Sequence, residues 1–77
     1  MPREPDPDWI IQRRQAVGKR VRDRRMDADL TQERLRDLSG VERLTIQRIE
    51  SGATDARLSW LLRIADALHI HVRDLLG

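Results

Sequence analysis

The 77-residue chain contains no cysteine, so disulfide bonds and cysteine-ligated metal sites are excluded. It also has no apolar run long enough to span a bilayer and no recognisable signal peptide. A glycine-rich phosphate loop and a grouping of nucleophile, base and orienting residue are both missing. His69 and His71 have no cysteines or carboxylates at ligand spacing, and we interpret them as turn residues. These absences predict a small cytoplasmic domain that is not an enzyme and that uses no cofactor, metal or membrane.

Charge is plentiful but unevenly distributed. Charged residues make up 36% of the chain, yet the formal net charge is only +2. Residues 13–25 contain one acidic residue, Asp23, and seven basic ones: Arg13, Arg14, Lys19, Arg20, Arg22, Arg24 and Arg25. Taken alone, such a run favours a solvated helix surface. Beside a nucleic-acid-binding motif, the same run favours a positive field that faces phosphates.

Hydrophobic periodicity predicts an all-α fold of five helices and gives almost no strand signal. Residues 1–8 include all three prolines and predict a disordered N-terminal arm, and residues 9–77 predict one domain. The helices are expected at 9–27, 32–39, 42–51, 58–68 and 72–76, the first with Asp8 as its cap. On the first helix, Trp9, Ile10, Val17 and Val21 are expected to share an apolar face. Gly18 within that helix indicates a close approach by another helix.

Residues 30–52 predict two short helices joined by a tight turn. Thr31 is a good N-cap for the first of them, Leu35 and Leu38 mark its inner face, and Gly40 gives the backbone freedom to turn. On the second helix, one face is apolar and is formed by Val41, Ile46 and Ile49. The other face carries Glu42, Arg43, Leu44, Thr45, Gln47 and Arg48. A short helix with such a face suits the major groove of DNA, where side chains touch base edges.

This segment resembles the helix-turn-helix of the phage-repressor and Cro-like family, also called xenobiotic-response-element (XRE) type. The matching residues are Leu30, Thr31, Gln32, Glu33, Leu35, Gly40, Val41, Thr45, Ile46, Arg48, Ile49, Glu50 and Gly52. The resemblance extends over about residues 17–76. It implies a compact lambda-repressor-like fold and a sequence-specific regulator of transcription that binds double-stranded DNA. Repression is the favoured mode, with helix 42–51 in the major groove and a homodimer as the binding unit.

Individual residues have expected roles, that of Gln32 by the same resemblance and the others by their place on the helices. Gln32 is expected to hold the DNA backbone and to brace a neighbour on the third helix, and Thr31 is either a phosphate contact or a plain cap. Arg43 is the main candidate for a paired contact with guanine, and Arg48 reaches either a base or a phosphate. Gln47 pairs with adenine or reaches the backbone.

Leu44 looks misplaced on the polar face and could pack on a thymine methyl group. Glu42 either caps its helix, accepts from a cytosine amine or repels phosphate at wrong sites. Thr45 belongs to the same DNA-facing set. Arg20, Arg24 and Arg25 are phosphate candidates, and the family also pairs an arginine such as Arg25 with a glutamate such as Glu50. Structural roles are expected for Gly40, Val41, Ile46, Ile49 and Glu50.

Some positions depart from the family pattern. Arg36 and Ser39 replace small or apolar residues, and Arg57 replaces a capping serine, so Asp55 is expected to cap the fourth helix. His69 replaces a glycine and needs a left-handed backbone.

Two other functional classes stay open, a protein-interaction module such as an antitoxin with a toxin partner and a purely structural domain. Candidate dimer contacts lie at the end of the chain, with Trp60, Leu62, His69 and Ile70, or at Trp9 and Ile10.

Overall fold

The computed structural model describes residues 5–77. These residues form five helices and no strand, namely α1 (Asp8–Asp27), α2 (Gln32–Ser39), α3 (Arg43–Ser51), α4 (Leu58–Ala67) and α5 (Arg73–Leu76). The all-α, five-helix prediction is therefore confirmed. Residues 1–4 of the predicted arm lie outside the described residues, and residues 5–7 are exposed and non-helical.

The helix ends differ from prediction by one residue in several places. α1 begins at Asp8, because Pro7 occupies the N-cap in an extended conformation. The prediction that Asp8 caps this helix is therefore wrong. Asp8 instead lies in the first turn, where its negative charge favours the positive end of the helix dipole. The prediction that Asp55 caps α4 is also wrong, since Arg57 is the N-cap residue and no side chain bonds the free amides there.

Two signals around α2 hold as predicted. The Thr31 hydroxyl accepts a hydrogen bond from the backbone N–H of Arg34 at 3.0 Å, which makes Thr31 the side-chain cap of α2. Gly40 ends the helix with φ of 75°, a left-handed conformation that a residue with a Cβ adopts only at a cost. The turn between α2 and α3 is therefore set by local sequence.

The core is built from all five helices. Its buried residues are Val21, Leu35, Val41, Ile46, Ile49, Leu61, Ile64, Ala65 and Leu75. Two residues expected to face inward do not, since Trp9 is 64% exposed and Leu38 is 47% exposed. On α2 the buried pair is Leu35 and Ser39, four residues apart, and the Ser39 hydroxyl accepts from the backbone N–H of Val41 at 3.1 Å. Leu38 lies on the other side of Leu35, three residues along, and therefore points to solvent.

The crossing of α1 over α3 fixes the position of α3. Gly18 lies directly against the backbone carbonyls of Ile49 and Glu50, and a Cβ at this position would overlap the Ile49 oxygen. The expected close approach at Gly18 is therefore confirmed. Near the end of α3, the Arg14 Nε donates to the carbonyl of Gly52 at 2.9 Å. α3 is thus held by α1 along its C-terminal half.

No helix in the part of the chain that the structure describes combines the length and the apolar character needed to cross a membrane.

Candidate nucleic-acid interface

α3 has two distinct faces. Ile46 and Ile49 are buried in the core, at 0% and 2% exposure. Arg43, Leu44, Gln47 and Arg48 are exposed on the other side, and Thr45 is half-buried between the two faces. Leu44 in particular is 53% exposed, as its position on the polar face of this helix predicted. The body of the protein therefore presents a rigid helix whose outer face carries two guanidinium groups, an amide and an aliphatic side chain.

An ion pair between α1 and α3 anchors this helix. The Arg25 Nε and Nη2 donate to the two carboxylate oxygens of Glu50 at 2.8 and 3.0 Å. The Arg25 Nη1 donates to the carbonyl of Leu30 at 2.7 Å, so the same guanidinium also ties down the loop before α2. The Arg25 side chain is only 13% exposed and that of Glu50 only 6%. The pairing that the resemblance implied is present, and it joins three segments of the chain.

The pKa of Arg25 is raised above its ordinary value. The main cause is the hydrogen bond to Glu50; burial acts in the opposite direction, and the charge of Glu50 adds a further increase. Because this pKa is raised, the charged guanidinium of Arg25 contributes stability that is fully present below the ordinary pKa of arginine. It is lost only as the solution becomes strongly alkaline. The guanidinium therefore stays charged under all ordinary conditions.

Gln32 completes the same cluster from α2. Its side-chain amide donates to the Glu50 Oε1 at 3.3 Å. Gln32 thus makes a contact to α3 of the kind that the resemblance implied. Thr31, next to it, acts as the cap described above, so the plain-cap interpretation is observed while a phosphate contact stays a prediction.

Arg22 is a candidate site residue that the sequence interpretation missed. It borders a surface depression together with Arg25, Gln32, Gln47, Glu50 and Ser51. Arg22 lies three residues before Arg25 and four after Gly18, which places all three on the side of α1 that faces α3. This helical spacing from Gly18 and Arg25 was the signal that could have found it.

The other two phosphate candidates on α1 lie elsewhere. Arg20 and Arg24 are each two residues from Arg22, which turns them by about 200° around the helix axis. The Arg20 guanidinium lies against Gly77 at the C-terminal end of α5. Arg24 is exposed to solvent. The structure therefore brings Arg25 to the α2–α3 unit but does not bring Arg20 or Arg24 there.

A second missed residue is Glu33 on α2. The Arg43 Nη1 lies 3.9 Å from the Glu33 Oε1, and both side chains are more than half exposed. They border a shallow depression with Thr31, Gln32 and Arg25. Sequence spacing alone does not place Glu33 at the interface, because its separation from Arg43 crosses a turn whose geometry the sequence does not give.

Glu42 is the N-cap residue of α3, but its side chain makes no capping hydrogen bond. The capping interpretation of Glu42 is therefore wrong, because its carboxylate faces solvent rather than the first-turn amides of α3. Among residues 5–77, no three His, Cys, Asp or Glu side chains are grouped as a metal site would require.

Comparisons with known proteins agree with this geometry. Residues 16–76 match a family model described as a helix-turn-helix domain. The solved structure of the restriction-modification controller protein C.AhdI from Aeromonas hydrophila is similar, with a TM-score of 0.77 and 36% sequence identity over 79% of this chain and 92% of that one. The clp gene regulator ClgR from C. glutamicum has a TM-score of 0.77 and 27% identity over 95% of this chain and 87% of that one. No curated protein matches the chain.

Proposed function

The chain belongs to the helix-turn-helix family of DNA-binding regulators, and we propose that it represses transcription by binding a specific double-stranded operator as a homodimer. The observation that carries this proposal is α3, whose apolar face is buried while Arg43, Leu44, Gln47 and Arg48 are exposed on one side. An α-helix with its side chains is about 10–12 Å across and the major groove is about 12 Å wide, so a helix such as α3 fits into the groove.

Base reading is assigned to the outer face of α3. Arg43 lies in the first turn, where helices of this kind enter the groove, and its guanidinium can donate two hydrogen bonds to the O6 and N7 of guanine. Leu44 beside it can pack on a thymine methyl group. Gln47 lies one turn further along and reaches adenine or the sugar–phosphate backbone. Arg48 contacts a base or a phosphate.

The two residues at the edges of this face have supporting roles. Glu42 precedes α3 with its carboxylate exposed, where it accepts from a cytosine amine or repels phosphate at wrong sites. Thr45 is half-buried and contributes its hydroxyl at the border of the contact.

Phosphate binding is assigned to the start of α2 and to one side of α1. The first amides of α2, next to Thr31 and Gln32, lie at the positive end of a helix dipole and favour an anion. Arg22 and Arg25 lie on the side of α1 that faces α2 and α3. Arg20 and Arg24 stay candidates on the basis of their charge alone.

A homodimer fits the size of the domain. One copy of α3 reads only a few base pairs, and two copies related by a two-fold axis read half-sites about one helical turn apart. The candidate contacts are Leu62 and the C-terminal residues, with Trp60, His69 and Ile70, or else Trp9 and Ile10. Leu62 and Leu76 are 49% and 44% exposed, so both are available to a second copy.

The names of the related structures bear on the biological role. C.AhdI is described as a restriction-modification controller and ClgR as a regulator of a clp gene. We assign to this chain a similar role in the control of gene expression, and we expect it to act in the cytoplasm without a cofactor or an enzymatic step. Repression follows if the operator overlaps a promoter.

Selection of bound duplexes from a random pool tests the proposal. The expected result is an enriched, near-palindromic sequence, with a two-to-one ratio of protein to duplex by analytical ultracentrifugation. Addition of that duplex at low ionic strength should then shift the NMR signals of the amides of Gln32 and of residues 43–48. Unmoved signals at those amides would rule the proposal out.

One alternative function has a specific observation in its favour. Leu58 and Leu62, one turn apart on α4, are 60% and 49% exposed, which suits a protein partner such as a toxin bound by an antitoxin. The two functions differ in their salt dependence. DNA binding weakens steeply as salt is added, because each neutralised phosphate releases counterions, whereas binding through leucines does not.

A further inference from the structure

The base-reading candidate Arg43 has an acidic neighbour on a different helix. Its Nη1 lies 3.9 Å from the Glu33 Oε1, across the turn between α2 and α3. Both side chains are exposed, at 56% and 65%, so neither is needed to fill the core. The pair therefore lies on the surface that the proposed function turns toward DNA.

A guanidinium carries more donors than a base contact uses. Two N–H groups complete a paired contact with guanine, and the remaining donors are free to bond a carboxylate from the protein. An arginine side chain is also long and has many rotamers, so holding its guanidinium in place reduces the entropy lost on binding. A carboxylate beside the arginine can supply this restraint without blocking the edge that meets the base.

We propose that Glu33 is a positioning residue for Arg43. Its carboxylate holds the Arg43 guanidinium in the orientation that reads a guanine, and so raises the preference for the operator over other DNA. This inference rests on the proposed function. It assigns Glu33 no contact with DNA of its own. The restraint acts through Arg43 alone.

The charge of Glu33 has a second, separable effect. Its carboxylate lies in the first turn of α2, next to the amides where a phosphate is expected, and so repels the DNA backbone whatever the sequence. Removal of the charge should therefore strengthen binding to all duplexes. The positioning role predicts that the same substitution lowers the preference for the operator over random DNA. The two effects are distinguishable, because one strengthens binding to every duplex and the other weakens the preference.

The experiment measures dissociation constants for two duplexes of equal length, the one selected by the wild-type protein and one of random sequence. In E33Q we expect tighter binding to the random duplex and a two- to five-fold loss in the ratio of the two constants, about what an exposed ion pair contributes. In E33D the charge remains but the carboxylate is one methylene shorter and falls short of Arg43. We expect the same loss of ratio in E33D, with random-duplex affinity unchanged.

Asp37 offers a matched control on the same helix. It is 49% exposed and pairs with its neighbour Arg36 at 3.0 Å. The substitution D37N removes the same unit of negative charge from α2 as E33Q does. We expect D37N to strengthen binding to both duplexes by the same factor and to leave the ratio of the two dissociation constants unchanged.

A double-mutant cycle links the effect to Arg43. In an R43A background, E33Q should change the affinity for both duplexes by the same factor, because no guanidinium remains to be positioned. If E33Q in the wild-type background also changes the affinity for both duplexes by the same factor, Glu33 is only a repulsive charge and the inference is wrong. If E33Q favours the operator more than the random duplex, Glu33 competes with DNA for Arg43, and the inference is again wrong.

The same data separate this inference from the proposed function. If R43A lowers the ratio while E33Q and E33D do not, the proposed reading by Arg43 stands and only the role of Glu33 fails. If R43A itself leaves the ratio unchanged, the base-contact assignment fails first. Thermal melts of each variant, expected within about 2 °C of wild type, show that the fold is intact in every arm.

Discussion

Arg25 of α1 binds both carboxylate oxygens of Glu50 of α3, at 2.8 and 3.0 Å, in a site where neither side chain is more than 13% exposed. The two residues are 25 positions apart in the chain. Gly18 and Arg14 also contact the C-terminal end of α3, so α1 holds this helix at three points. The orientation of the candidate reading helix is thus fixed by polar contacts as well as by its isoleucines.

Arg25→Ala is expected to destabilise the fold by about 3 kcal/mol, because it leaves the Glu50 carboxylate buried without its partner. Urea unfolding followed by circular dichroism gives the free energy directly. Exposed Lys19→Ala, which removes only the pair with Asp23 at 3.1 Å, is the control and should cost under about 0.5 kcal/mol. A similar small cost for Arg25→Ala would show that the pair does not anchor α3.

Gly18→Ala is expected to destabilise the protein by about 2 kcal/mol or more, even though alanine favours helix by about 1 kcal/mol over glycine. The added Cβ meets the carbonyl oxygen of Ile49, which is backbone and cannot rotate away. α1 and α3 must then move apart. A rise in melting temperature for this variant would contradict the close crossing described here.

His69→Gly is expected to stabilise the protein by about 0.5–1 kcal/mol. His69 has φ of 56°, a left-handed conformation that glycine adopts without steric cost. His71, two residues on, has no positive φ, and its backbone N–H donates to the Asp74 carboxylate at 3.2 Å. His71→Gly should therefore destabilise the protein slightly, and opposite signs in the two melting curves are the expected result.

Arg22→Ala is expected to weaken binding to operator and random duplex alike and to reduce the slope of log K against log salt by about 1. Arg22 lies on the side of α1 next to Gln32 and Gln47. Arg20→Ala is the natural comparison, since it removes the same charge from a site beside Gly77. We expect the smaller change in slope for Arg20, and the reverse order would return the phosphate contact to Arg20.

Arg43→Ala is expected to lower the preference for the operator, because a paired arginine–guanine contact gives about 1–3 kcal/mol of discrimination. Random duplexes should lose less affinity. Competition binding with the selected duplex and a random one measures the ratio. Equal losses on both would show that Arg43 contacts only the DNA backbone.

Much of the fold followed from local signals along the chain. Thr31 and Gly40 bounded α2, and the spacing of Ile46 and Ile49 fixed the inner face of α3, because capping chemistry and the helical period act over a few residues. The left-handed turn at His69 and the close approach at Gly18 were also readable from residue type and position. Leu38 was wrongly predicted to face inward, because the positions three and four residues after Leu35 both lie near its side of the helix. In the structure it is Ser39, four residues on, that is buried.

Local sequence was enough to predict the five helices, the two faces of α3 and the concentration of positive charge on α1, since each depends on residues near one another in the chain. Which of those charges face α3 depends instead on how the helices pack against one another. Arg20, Arg22 and Arg24 are chemically alike, and the packing of Gly18 against Ile49 turns Arg22 toward the candidate interface and Arg20 away from it. The pairing of Glu33 with Arg43 was decided in the same way, because it depends on the distance between two helices that no local pattern encodes.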